Sequence, residues 1–290
     1  MPSQPLGRPF PAPIDSGDSD KMSYEPAMAP LFDVSGRRVP PSSVGAAVNP
    51  ACDRYGLSQP PIDHSVIHRR ITEHFPGAGA VSAAEFEERL ETLMETLLGT
   101  EDTREFARGV HVPFLIPPGG DHDLGQALEE TYLTALGRSW KARFPKADFR
   151  NELKGGLAGK VEVAKGSRYE RFVQAMADGP VLGYYFPLAL SGFSVDAALQ
   201  QMIGLPDAFV LSGGHEASVA LAACPDLIVK KDGYPPQLDL SALQAPVARY
   251  GYHFASYGYN LTFNGRFHNG QASDYCSSGL TVLAPSRKQK

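Results

Sequence analysis

The segment Leu211-Ser212-Gly213-Gly214-His215-Glu216 gathers more chemistry-bearing residues into one turn than any other part of this chain. It leaves a short apolar run, passes two glycines and enters a helical pattern. Free backbone N–H groups and the positive end of a helix dipole would therefore face a carboxylate or phosphate there. Ser212 is placed as a nucleophile, His215 as a general acid or base, and Gly213 and Gly214 as oxyanion donors. Ser212 is equally placed to be an ordinary N-cap. No Gly-x-Ser-x-Gly elbow and no dinucleotide fingerprint accompany the turn.

A second group lies near the C-terminus. If residues 253–263 form one unbroken strand, alternation puts His253, Tyr257, Tyr259, Leu261 and Phe263 on one face. Asn264-Gly265 then reads as a two-residue hairpin turn, which brings His268 opposite Leu261. Two histidines and two tyrosines among apolar neighbours could line a ligand pocket or help bind a metal, or simply pack as an aromatic sheet. Gly258 is placed to introduce a bulge that changes the faces.

The other histidines carry less. His64 and His68 stand at helical i,i+4 spacing, close enough to share a metal ion, but Ser65 occupies the place of a metalloprotease glutamate. Asp121-His122-Asp123 offers mixed oxygen and nitrogen donors, while Asp123 also sits where a helix N-cap belongs. With Arg69 and Arg70 beside the histidine pair, no metal site is assigned, and the cofactor is left open. Cys52, Cys224 and Cys276 are an odd set without Cys-x-x-Cys spacing, which argues against a disulfide framework or thiolate zinc site. Cys224, at a helix C-terminus, reads as inert.

Around these residues the elements fall into place. Of 25 prolines, 12 lie within residues 1–61, so residues 1–60 read as a Pro-rich arm, largely disordered, with Leu31-Phe32 and Val44–Val48 as docking points. Residues 61–285 read as the globular part and 286–290 as a basic tail. Asp63–Phe75 predicts a helix. Ser82 and Glu85 form a capping box ahead of Phe86, Leu90, Leu93 and Leu97 at helical spacing. Val110–Ile116 predicts a strand whose Pro113 points to an edge or bulge. Asp123 caps a further helix carrying Leu124, Leu128, Tyr132 and Leu136, and Ser167 with Glu170 opens another. Strand and helix then alternate through Val181–Leu188, Ser194–Ile203, Ala208–Leu211 and Gly213–Cys224. The class is α+β: a single compact domain with central helices and a C-terminal antiparallel sheet.

The order of elements resembles an uncharacterised bacterial domain family of unknown function common in actinobacteria. The likeness rests on Ala83-Ala84-Glu85-Phe86, the strand at Leu182–Phe186, Val195-Asp196-Ala197-Ala198-Leu199, His215-Glu216-Ala217-Ser218-Val219-Ala220-Leu221 and Cys224-Pro225-Asp226-Leu227. The family's C-terminal part is rich in Trp and Cys, whereas this one is rich in Tyr and Asn. The resemblance implies one α+β domain and no chemistry.

Composition bounds the partners. The chain of 290 residues is 42% hydrophobic and 20% charged, with a net charge of −5. Isolated Arg69-Arg70 and Lys230-Lys231 pairs make a poor nucleic-acid surface, and no transmembrane run or secretory signal is read, so a cytoplasmic protein is expected. The leading expectation is a small-molecule or anion-binding protein, with His215 or His253 as general acid/base if it is an enzyme. Its ligand-binding residues would be Ser212, Gly213, Gly214, Tyr257, Tyr259 and His268. The alternative is a protein-interaction or regulatory module using the N-terminal arm and the aromatic sheet.

Overall fold

In the computed structural model, which describes residues 30–52, 55–119, 123–231, 233–267 and 269–286, helices occupy the middle of the chain beside a long mixed sheet and a separate two-stranded one. The first half supplies α1 (His64–His74), α2 (Ala83–Gly99), α3 (Glu101–Ala107) and strand β1 (Val112–Ile116). Next come α4 (Leu124–Ala127), a π-helical segment (Leu128–Leu133) and α5 (Thr134–Arg143), which run on from one another. Short strands β2 (Phe149–Asn151) and β3 (Glu162–Val163) precede α6 (Tyr169–Asp178) and the long β4 (Val181–Ser191). Then follow α7 (Val195–Gln201), β5 (Phe209–Leu211) and α8 (Gly214–Ala223). The strands β6 (Gln237–Asp239), β7 (Leu243–Gln244), β8 (Tyr250–Tyr257), β9 (Asn260–Phe267) and β10 (Cys276–Leu283) complete the chain.

The local signals explain the helix starts. Asp63 accepts the Val66 N–H at 3.0 Å, Ser82 that of Glu85 at 3.2 Å, Asp123 that of Gln126 at 2.8 Å and Ser194 that of Ala197 at 3.1 Å. One start differs from the pattern. Helix α6 begins at Tyr169, after Arg168 in the left-handed region (φ 63°), while Ser167 Oγ accepts the Tyr169 N–H. Arg168 holds this conformation because its guanidinium donates to the carbonyls of Met202, Leu205, Pro206 and Phe209.

The strand order is β1-β4-β10-β6-β8-β9-β2, with β5 also paired to β10. Pro113 lies in the end strand β1, where its missing N–H breaks no ladder. Pairs β10–β6 and β2–β9 are parallel, and the remaining pairs of this sheet are antiparallel. The sheet therefore reaches well beyond the C-terminal strands.

The C-terminal hairpin corrects the sequence reading. Its turn is Gly258-Tyr259, flanked by the Tyr257–Asn260 pair, while Asn264 and Gly265 sit inside β9 opposite His253 and Tyr252. Gly258, at φ 58°, takes the left-handed conformation that such a turn requires. Gly265 serves packing instead: a Cβ there would stand 2.4 Å from the Tyr250 ring. As a result Leu261 and Phe263 share the core face with Phe254, opposite to the face of His253 and Tyr257.

Much of the proline-rich stretch is part of this body. Phe32 is 2% exposed and packs on Phe106 and Phe209 at ring distances of 4.9 and 5.7 Å. Backbone bonds tie Arg38 to Ala189, Ser194 to Ala47 and Asn49 to Gly192. Cys52, Cys224 and Cys276 are all buried thiols outside any disulfide, and burial pushes the Cys224 thiol up to about 12. No helix among the described residues is long and apolar enough to cross a membrane.

Candidate active site around His215

Helix α8 is apolar on every side, and all ten of its residues are buried against β1, β4, α1, α5 and the π-helical segment. His215 and Glu216, in its first turn, are consequently 0% exposed. Buried ionisable groups must find partners, and Glu216 finds three, two of which continue the chain to Ser212 and His215. Its Oε1 accepts the Gly213 N–H at 2.6 Å and the Thr281 hydroxyl at 3.2 Å. Its Oε2 accepts the Tyr169 hydroxyl at 2.7 Å. Ser212 Oγ lies 2.8 Å from Thr281 Oγ1, and Tyr169 Oη lies 3.2 Å from His215 Nδ1.

Counting protons fixes the directions. Thr281 has one hydroxyl proton and gives it to Glu216, so Ser212 donates to Thr281. Tyr169 likewise has one, given to Glu216, so His215 must donate its Nδ1 proton to Tyr169 Oη. That hydrogen bond belongs to the Nδ1–H tautomer, which carries a lone pair on Nε2. That nitrogen is buried and makes no hydrogen bond of acceptable geometry.

The electrostatics agree with this assignment. Burial lowers the His215 pKa to about 4, with the nearby Leu124 carbonyl offsetting part of the shift, so the ring is neutral around pH 7. Burial raises Glu216 to about 6, against the pull of its hydrogen bonds, first that from Tyr169. Burial and the neighbouring Glu216 carboxylate drive Tyr169 far above an ordinary phenol.

His215 forms part of the wall of a cavity of about 320 Å³ with Pro117, Pro118, Leu124, Tyr132, Val173 and Met176. The lining is mainly apolar, as small-molecule pockets usually are. Tyr132, in the same wall, stands edge-on to the imidazole at 4.7 Å. Its position comes from the π-helical segment, an irregularity that often marks functional positions.

The sequence candidates distribute unevenly over this geometry. Gly213 is the N-cap of α8, and its N–H is taken by the chain's own Glu216 carboxylate, which occupies the place where an external anion would sit. The glycine pair is explained by close approach: a Cβ at Gly213 would be 2.4 Å from the Tyr169 ring, and one at Gly214 2.8 Å from Leu128. Ser212 is fully buried, bonded through Oγ to Thr281 and through its backbone to Gly279 and Ala242. Tyr257 and Tyr259 line a different cavity, about 590 Å³, with Phe144, Pro145 and Lys146. His253 belongs to neither wall: it is 6% exposed and pairs across the sheet with Asp239. His268, Asp121 and His122 lie outside the described residues.

His64 and His68 do not act as a pair. His68 Nε2 contacts the Val81 carbonyl at 2.8 Å, whereas His64 meets Tyr184 Oη at 3.3 Å. Instead, a His64 nitrogen and oxygens of Glu87 and Glu91 come within 4.8 Å of one another at the surface. The residues that sequence reasoning missed are Tyr169, Glu216 and Thr281. Glu216 carried a usable signal, since an acidic residue inside an otherwise apolar helix demands buried partners. Compared with protein-family models, curated proteins and solved structures, the chain matches none of them.

Proposed function

We propose that this protein binds a small, mainly apolar molecule bearing an acidic O–H or N–H group, and that His215 acts on it as a general base. The observation that supports this reading is that His215, a wall residue of an apolar cavity, has a buried Nε2 without a hydrogen-bond partner and is linked through Tyr169 to a carboxylate. A proton leaving the ligand goes to Nε2, the Nδ1 proton passes to Tyr169 Oη, and the Tyr169 proton passes to Glu216 Oε2. Three transfers leave His215 and Tyr169 neutral as before, Glu216 neutral, and the ligand carrying the negative charge. Because the proton ends on the carboxylate, the working basicity is that of Glu216, nearer to neutral pH than that of an isolated buried imidazole. Because Nε2 is buried, a ligand reaches it only when a packed neighbour moves, and we assign that movement to Tyr132, which packs edge-on against the ring from the π-helical segment. The three reduced thiols support placing the protein in the cytoplasm.

The test uses 4-nitrophenol, whose phenolate absorbs visible light and whose neutral form does not. At pH 6 the wild-type protein should bind it and show the phenolate band, while His215→Phe and Glu216→Gln should show the neutral spectrum. Identical spectra for all three proteins would remove the base role from His215.

A second reading keeps the protein-interaction role for the aromatic face. It is favoured by Tyr257 and Tyr259, 66% and 47% exposed beside Phe144. Tyrosines of this kind suit the core of a contact patch. Tyr257→Ser together with Tyr259→Ser would then abolish partner capture and leave 4-nitrophenol binding unchanged.

A further inference from the structure

A second polar group is buried without the counter-charge that its chemistry calls for. Arg38 is 7% exposed, and among the described residues no carboxylate pairs with it. Its Nη1 donates to the Leu31 carbonyl at 2.8 Å, but Nε is buried with no hydrogen-bond partner, and Nη2 makes no protein hydrogen bond. Nε and Nη2 form one edge of the guanidinium, the edge that grips two oxygens of a carboxylate or phosphate side by side.

Arg38 lines a cavity of about 540 Å³ together with Pro41, Ser43, Gly45, Gln201 and Gly204. Gln201 is itself 3% exposed, and its Oε1 also lacks a hydrogen-bond partner. Two residues that each carry an orphaned polar atom, one of them a cation, therefore line one cavity. The walls are held in place independently of any occupant. Gln200 Oε1 accepts the N–H groups of Gly45 and Ala46, each at 3.2 Å, and the Arg38 N–H donates to Ala189 on β4. Burial lowers the Arg38 pKa from its ordinary value, the signature of a desolvated charge lacking compensation.

We infer that the cavity between residues 38–45 and the end of α7 is an oxyanion-binding site, in which Arg38 grips a carboxylate or phosphate through Nε and Nη2. Gln201 faces the same ligand and takes a hydroxyl or protonated oxygen through Oε1. The site is separate from the His215 cavity, and the two share no lining residue.

The experiment is isothermal titration of the full-length protein, in a buffer free of phosphate and carboxylate, with inorganic phosphate and with propionate as probes. Wild-type protein should bind at least one of them saturably at one per chain, and the tighter probe gives the class of oxyanion. Arg38→Leu should weaken that binding at least tenfold. Gln201→Glu retains Arg38 and places a fixed carboxylate in the same cavity, so it too should weaken binding at least tenfold, which keeps the test sound if Arg38→Leu folds poorly. The absence of saturable binding of both probes, or unchanged affinity in Gln201→Glu, would overturn the inference.

Discussion

Glu216 governs the protons around it because it is a buried carboxylate with more donors within reach than any neighbour can decline. The pKa shifts of Glu216 and His215 have opposite consequences for stability. An unfolded His215 takes up its proton near pH 6.5, but the folded one only near 4, so this residue costs stability as pH falls through that window. Glu216 is raised, so the folded chain takes up its proton near pH 6 and the unfolded one near 4.5, and this residue returns stability over that narrower range. The two effects are on the order of 3 and 2 kcal/mol at full development. In urea titrations at pH 7 and pH 4.5, His215→Phe should therefore lose less stability on acidification than wild type, and Glu216→Gln should lose more. Gly213 is a steric counterpart to this electrostatics. With a Cβ only 2.4 Å from the Tyr169 ring, Gly213→Ala should cost about 1–3 kcal/mol of unfolding free energy and displace the hydroxyl that links His215 to Glu216.

At the scale of elements, most starts and stops were legible because they are set within four residues. Asp63, Ser82, Asp123 and Ser194 cap helices whose side chains and backbone donors are sequence neighbours. The hairpin was misread because both glycines near its tip satisfy a turn pattern, and only packing tells them apart. Tyr250 covers Gly265 from across the strand, and Trp140 Nε1 holds the Tyr259 carbonyl at 2.8 Å, fixing the turn six residues earlier. The docked part of the arm shows a similar limit. Its prolines announced irregular backbone correctly, while the burial of Phe32 depends on Phe106 and Phe209, far along the chain. Phe32→Ala should lower the unfolding free energy by about 3–5 kcal/mol, as for other buried phenylalanines. A loss under 1 kcal/mol in chemical denaturation would show that residues 30–52 are not part of the cooperative unit.

For the whole molecule, the α+β class followed from local periodicity, but the strand order did not. It is a set of long-range pairings: β10 joins β4, β5 and β6, which are widely separated in sequence. The candidate site depends on the same pairings. His215 was visible as a chemically capable residue in a glycine-flanked turn, yet Tyr169 reaches it and Glu216 from α6, Thr281 reaches Glu216 from β10, and nothing in their local sequence announces that. The central claim is that this assembly holds His215 as a neutral Nδ1–H tautomer with Nε2 bare. Long-range ¹H–¹⁵N correlation spectra of the imidazole rings in the full-length protein, recorded from pH 7.5 to 5, test it most directly. The account predicts a His215 ring, assigned by its loss in His215→Phe, with a proton on Nδ1, none on Nε2, and no titration above pH 5. A His215 ring protonated on Nε2, or one that titrates near 6.5, would contradict it.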